Sequence, residues 1–318
     1  MQGTRQDYLK FIASLLIFGT NGLLVTHIHL ASTQIVFTRT LLGSAFLLLV
    51  ALLGRQLEVH NCRGQLRPLL LAGFCLGANW VFLFEAYRYA SVSLGTLLYY
   101  SGPILVMVLS PFLFQERLTW NKLAAIGAVV LGMLCLIGIS GGISLRGLVN
   151  GALAALLYAL LIIANKNIRR VSGLNSTLLQ LVVALVVISL YLLVRGQLPF
   201  ALPQGRELLY VLILGLVNTG LACYLYFASM QRLPGQTVAL LCYVDPLSAV
   251  VFAALFLGEQ LTGIQVLGAV LILGGALLGE LSLPQLRHKN RPSPVKGDGL
   301  CLYFSGLRPA TLTGQVRN

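Results

Sequence analysis

Residues 100–119, YSGPILVMVLSPFLFQERLT, and residues 243–262, YVDPLSAVVFAALFLGEQLT, carry one pattern twice: a tyrosine, a proline three positions on, and Glu-x-Leu-Thr at the end. A shift of 143 residues lays Tyr100, Pro103, Glu116, Leu118 and Thr119 on Tyr243, Pro246, Glu259, Leu261 and Thr262. The same shift lays Gly77 on Gly220, Phe84 on Phe227 and Gly132 on Gly275. An internal match at one fixed offset marks a duplicated structural unit. The stretch between proline and glutamate is almost wholly apolar, so the duplicated unit is one that meets lipid.

Working outward from this pair, apolar runs of the roughly 20 residues that a bilayer-spanning helix needs occur ten times. They cover 9–29, 33–53, 68–90, 94–115, 120–139, 147–168, 174–194, 207–231, 236–258 and 263–283. The predicted fold class is therefore all-α integral membrane, with ten transmembrane helices. Residues 1–142 form a first five-helix repeat, 143–283 a second, and 284–318 a basic tail predicted to be cytoplasmic and disordered. An odd number of spans per half makes the second half enter the membrane from the opposite side. Such inverted repeats place a binding site between the halves near the midplane. Pro103 and Pro246 fall near the middle of their spans, where a missing backbone donor kinks a helix. Duplication of that kink suits a cavity wall, and it suits tolerated packing as well.

Composition agrees: 57% of the 318 residues are hydrophobic and 10% are charged, against roughly 25% charged in a soluble domain. A water-soluble globular protein is excluded. The net charge of +13 is a matter of topology. Arg88, Arg146, Arg195 and Arg206 fall on one side, Arg39 lies within a span, and every other Lys and Arg falls on the opposite side. By the positive-inside rule both termini lie in the cytoplasm, and nucleic acid is not an expected partner. The six cysteines show no C-x-x-C spacing and four lie in apolar runs, so neither a disulfide framework nor a zinc site is indicated. The first run is too long for a signal peptide and lacks a clear cleavage site, so it is read as a retained helix. Gly138-x-Ser140-x-Gly142 has the spelling of a nucleophile elbow without the preceding strand, and no P-loop, H-E-x-x-H or Rossmann fingerprint occurs. No metal, cofactor or catalytic residue is expected, and the chain is read as a non-enzyme.

Several stretches together resemble one family. They are NWVFLFEAYRYASVSLGTLLYYSGPILVMVLSPFLFQERLT with the following KLAAIGAVVLGMLCLIG, and their counterpart ACYLYFASMQRLPGQTVALLCYVDPLSAVVFAALFLGEQLTGIQVLGAVLILGGALLG. The opening FIASLLIFGTNGLL and FTRTLLGSAFLLL join them, so that the resemblance spans residues 8–283. The chain is similar to the ten-helix EamA-type permeases of the drug/metabolite transporter superfamily. The resemblance implies a secondary carrier working by alternating access, commonly an exporter of amino acids or other small metabolites. It also implies a pathway lined by spans 1, 3, 4, 6, 8 and 9. Its motifs encode the shared scaffold and do not select a substrate.

An ionisable side chain at the centre of a membrane helix costs about 2.5–3.5 kcal/mol on insertion scales, so each one needs a reason. Asp245 stands beside the midplane proline where the first half has Gly102. A carboxylate there can bind a substrate ammonium, or take up and release a proton, and it can equally be neutralised as a packing device. Glu85 is a second candidate for proton coupling. Arg39 and Glu85 lie at similar depth toward the outer side, and a structural ion pair between them would satisfy both. Glu116 and Glu259, each followed by Leu-Thr and a new helix, are read as helix caps. Asn21, Asn79, Tyr99, Tyr100, Asn218 and Tyr243 are polar groups at middle depth that either line the pathway or bond between helices. Trp80 is read as packing or wall.

The expected function is a secondary transporter of the inner membrane that moves small polar organic metabolites, amino acids or related compounds above all, outward. Its partners are a small-molecule solute and the lipid bilayer, and it acts as a monomer or homodimer. Two other classes remain open: a membrane enzyme acting on lipid-linked substrates, and a noncatalytic receptor or scaffold. His27, His29, His60 and His288 do not form the clustered acid, base or metal site the enzyme would need.

Overall fold

The computed structural model describes residues 4–57, 64–89, 92–114, 118–137, 144–168, 171–200, 203–258 and 262–281. Every regular element among them is helical. The first apolar run forms α1 (Arg5–Gly19) and α2 (Asn21–Val25), and the second α3 (Ser32–Leu53). Then come α4 (Leu66–Tyr89), α5 (Val92–Tyr99), α6 (Ser101–Phe114) and α7 (Trp120–Ile137). The second half supplies α8 (Leu145–Asn167), α9 (Gly173–Val194), α10 (Arg206–Gly215), a π-helical turn (Leu216–Leu221) and α11 (Ala222–Met230). It ends with α12 (Gly235–Leu241), α13 (Val244–Phe256) and α14 (Gly263–Leu281). Eight of the resulting segments are long and apolar enough to cross a membrane, and α7 and α14 contribute two shorter apolar helices.

Local chemistry sets the ends. Thr4 and Asp7 cap α1 reciprocally: the Thr4 N–H donates to Asp7 Oδ2 at 2.8 Å while Asp7 N–H donates back to Thr4 Oγ1, leaving fewer orphan donors at the helix start. Ser172 accepts from Asn175 N–H at the start of α9. Glu116 and Glu259, expected as caps, lie outside the described residues, as does the 284–318 tail.

The fourth and ninth runs each break into two helices. Tyr100 separates α5 from α6, and Cys242 with Tyr243 separates α12 from α13. Pro103 and Pro246 do not kink a continuous helix. Each is the third residue of the helix after the break, in the first turn, where the N–H that proline lacks has no intrahelical partner to lose.

Packing pairs the halves in matched sets. α4 lies against α8, and α1 against α11; α4 lies against α9, and α3 against the π turn; α6 meets α8, and α1 meets α13. α7 packs on α14, α3 on α9 and α6 on α12. Helices of the two halves thus interleave, and residues 1–283 pack as one unit. Leucines such as Leu52, Leu53, Leu190 and Leu193 stay more than half exposed on the outer surface, as a lipid-facing surface requires.

With hydrocarbon on both sides of the choice, burying leucine provides little drive for helices to meet, and close approach of small residues takes over. Gly77 shows this. A Cβ there would come within 2.9 Å of both Cα and O of Ala184 on α9, backbone atoms that cannot swing aside. Gly77→Val is therefore expected to destabilise the protein by about 1–3 kcal/mol, read as a lower melting temperature in detergent. An unchanged melting point would show that α4 and α9 are not held this closely.

Candidate functional site

The two helix breaks meet. Tyr243 Oη donates to the backbone carbonyl of Tyr100 at 2.7 Å, and Tyr100 Oη donates to Asp245 Oδ2 at 2.8 Å. The repeat-matched tyrosines thus tie one break to the other and present one carboxylate. Asp245 lies in the first turn of α13, where the helix's positive end favours a negative charge. Its backbone carbonyl accepts from Ser248 Oγ at 2.8 Å. The matching position in the first half has to be Gly102. A Cβ at Gly102 would sit 2.8 Å from the Ala155 carbonyl on α8, which leaves no room for a carboxylate.

Beside this junction is a cavity of about 170 Å³. Its wall includes Leu15, Phe18 and Asn21 from the first span, Arg39 from α3, and Trp80 and Phe84 from α4. Tyr99, Tyr158, Cys223, Tyr226, Phe227 and Asp245 complete most of the rest. Arg39 and Asp245 are its charged lining residues. Aromatic contacts join the wall. The Tyr99 and Tyr158 rings stack at 4.7 Å with planes 4° apart, and Phe11 stacks on Tyr226 at 4.9 Å from outside the cavity. Tyr158 and Tyr226 share a hydrogen bond of 3.0 Å between their hydroxyls, and each hydroxyl approaches Cys242 Sγ at 3.3 Å.

Of the polar residues singled out at middle depth, Asn21, Tyr99 and Asp245 line the cavity, and the others support it or lie apart. Tyr100 and Tyr243 hold the junction. Asn218 sits in the π turn, and its amide Nδ2 lies 2.8 Å from the Ile17 carbonyl, 2.8 Å from Thr20 Oγ1 and 3.0 Å from Asn21 Oδ1. It thereby clamps the break between α1 and α2. Asn79 is fully buried, and among the described residues neither of its amide atoms has a hydrogen-bond partner.

The expected Arg39–Glu85 ion pair does not form. Glu85 Oε1 pairs with Arg88 at 2.9 Å and Arg195 at 3.5 Å, and it accepts a hydrogen bond from Tyr191. The Arg39 guanidinium lies 4.4 Å above the ring of Trp80. The reason is helical geometry: Trp80 and Glu85 are five residues apart on α4, about 140° around the axis and about 7.5 Å along it, so one side chain of α3 does not reach both. Glu85 faces α9, and Arg39 faces the cavity. Detergent melting of the double-mutant cycle should follow suit. Arg39→Ala and Glu85→Ala are expected to add, whereas Glu85→Gln and Arg195→Gln should couple by less than about 1 kcal/mol, because the arginine is partly exposed. Coupling between Arg39 and Glu85 would restore the original pairing.

The aromatic wall was less visible in the sequence than the carboxylate. Phe84 and Phe227 did carry a signal, since the repeat superimposes them and both line the cavity. Tyr158 and Tyr226 carried none.

Comparison with known proteins agrees with this architecture. The model of the EamA-like transporter family matches twice, over residues 7–138 and 145–279. An uncharacterized transporter, YxxF of Bacillus subtilis, is 30% identical over 277 residues, covering 85% of this chain and 88% of that protein. A probable amino-acid metabolite efflux pump of Salmonella typhimurium is 33% identical over 223 residues, covering 65% of this chain and 74% of the pump. The threonine/homoserine exporter RhtA of the same species is 25% identical, with coverages of 73% and 78%. A solved crystal structure superimposes with a TM-score of 0.75 at 23% identity, covering 87% of this chain and 98% of its own, which shows the shared fold. With both halves matched by one transporter model and both contributing helices to one cavity, the chain belongs to the EamA-like transporter family and is a multi-pass protein of the inner membrane.

Proposed function

We propose that this protein is a secondary carrier that moves small polar organic metabolites, amino acids or related compounds above all, outward across the inner membrane by alternating access. In this reading all ten apolar helices span the bilayer as two inverted five-helix repeats, 1–142 and 143–283, with both termini in the cytoplasm. The observation that carries it is the cavity: about 170 Å³, walled by helices of both halves, with Arg39 and Asp245 facing one space. A packing core would not hold two charges in a void. The efflux-pump and exporter names of two relatives support the substrate class and the direction. Rocking of one half against the other would expose the cavity first to one side and then to the other. Asp245 and Glu85 are the groups that would couple this motion to protons, Asp245 first because it borders the cavity.

Solute counterflow in liposomes tests the proposal, using amino acids, amines, nucleosides and organic acids with a protein-free control. Saturable exchange of amino acids is the expected result. A silent panel from well-folded protein would withdraw the carrier reading.

A further inference from the structure

The cavity holds one positive and one negative group that the protein does not join. Arg39 rests on the Trp80 ring, and among the described residues its buried Nε has no hydrogen-bond partner and no carboxylate stands within ion-pair reach of it. Asp245 has Oδ2 engaged by Tyr100, while among the described residues nothing donates to Oδ1. The two charges line one cavity without closing into a salt bridge. Opposite charges held apart in a low-dielectric space are each short of a counterion, and a solute carrying both charges a few atoms apart would satisfy both at once.

We infer that Arg39 and Asp245 are the two poles of a zwitterion site, with Arg39 taking the carboxylate and Asp245 the ammonium of a free α-amino acid. This rests on the carrier reading above and narrows it: amines lacking the carboxylate and acids lacking the ammonium are excluded. A guanidinium lying over an aromatic face keeps its in-plane N–H donors available, and that planar fork matches a carboxylate bidentately. Tyr100 holds the opposite pole in place. The remaining wall includes Phe18, Tyr99, Tyr158 and Tyr226, an aromatic lining that suits apolar and aromatic side chains.

The chain has two tryptophans, and Trp120 is 85% exposed, so Trp120→Phe leaves Trp80, the ring under Arg39, as the sole reporter. In that background, purified protein is titrated with alanine, valine, leucine, methionine and phenylalanine, each beside its decarboxylated amine and its deaminated acid. At least one amino acid should saturate the Trp80 signal and bind at least about tenfold more tightly than either analogue. Arg39→Gln should bring the amine to near parity, Arg39→Lys should keep part of the preference, and Asp245→Asn should bring the acid to near parity. Equal binding of amine and amino acid by the unaltered site would overturn the assignment, as would an unchanged preference in folded Arg39→Gln. If no amino acid binds while counterflow shows exchange of another solute class, the zwitterion site falls and the carrier stands. If counterflow is silent too, both fall.

Discussion

Asp245→Asn is expected to lower saturable solute exchange by at least about thirtyfold while leaving the folded protein intact. Removing one member of a buried, hydrogen-bonded charge contact costs about 2 kcal/mol or more in binding, and every 1.4 kcal/mol is tenfold. Stability should move little, because an amide of the same shape still accepts from Tyr100 and no longer places a charge in the membrane. Tyr100→Phe should have a smaller effect of the same kind, since it removes a donor to the carboxylate and leaves the charge. The same variants separate coupling from binding. With an imposed pH gradient, Asp245→Asn should lose whatever acceleration the native protein shows. Glu85→Gln should lose less of it, since Glu85 has partners of its own and does not border the cavity. Counterflow with and without the gradient, alongside detergent melting, gives the answer. Equal gradient dependence in the native protein and Asp245→Asn would remove the carboxylate from the coupling role.

Asn218→Leu is expected to be the more damaging change for structure. Leucine branches at the same carbon as the amide but is bulkier, so some overpacking at this buried position adds to the loss. What disappears is a donor group shared by the Ile17 carbonyl, Thr20 Oγ1 and Asn21 Oδ1. The Ile17 carbonyl keeps the Thr20 N–H and Thr20 Oγ1 as donors, so the cost is that of one lost interhelical tie, about 1–3 kcal/mol in all. A clear fall in melting temperature is therefore expected. It should come with a rise in the half-saturating solute concentration, because Asn21 lines the cavity and Asn218 fixes it there. A lower melting point with unaltered solute dependence would make Asn218 a purely structural clamp.

Both residues illustrate what the sequence makes legible. Asp245 was visible because a charge inside an apolar run is conspicuous and because the repeat puts Gly102 opposite it. Asn218 was equally visible as a polar residue at depth, but its role was not. Whether an amide faces a cavity or a neighbouring backbone depends on how two helices are rotated about their axes. The π turn at Leu216–Leu221, which changes that rotation locally, leaves no mark that a 3.6-residue period would show. Arg39 failed for the same reason. Its depth matched that of Glu85, but depth is one coordinate of three, and the other two placed it over Trp80. The apolar runs came through as helices, eight of them long and apolar enough to cross a membrane among the described residues, since a run of apolar residues specifies length along one axis only. The breaks at Tyr100 and at Cys242–Tyr243 were foreshadowed by Pro103 and Pro246, although proline lies just after each break and not at it.

The contact between α7 and α14 has a mechanical meaning. A Cβ on Gly132 would meet the Gly268 carbonyl at 2.7 Å, and a Cβ on Gly275 would meet the Ala125 carbonyl at 2.9 Å. Gly132 and Gly275 are the two copies of one position in the duplicated sequence. The contact is therefore reciprocal, one helix from each half, with each glycine set against backbone and a branched side chain of the other helix, Ile272 or Val129. Two rods touching this closely cannot slide apart by a side chain's length without losing the contact, yet they can still roll. In the carrier reading proposed above, a displacement that opens the cavity would turn about this contact, and bulk added at either glycine is expected to hinder it although neither glycine lines the cavity.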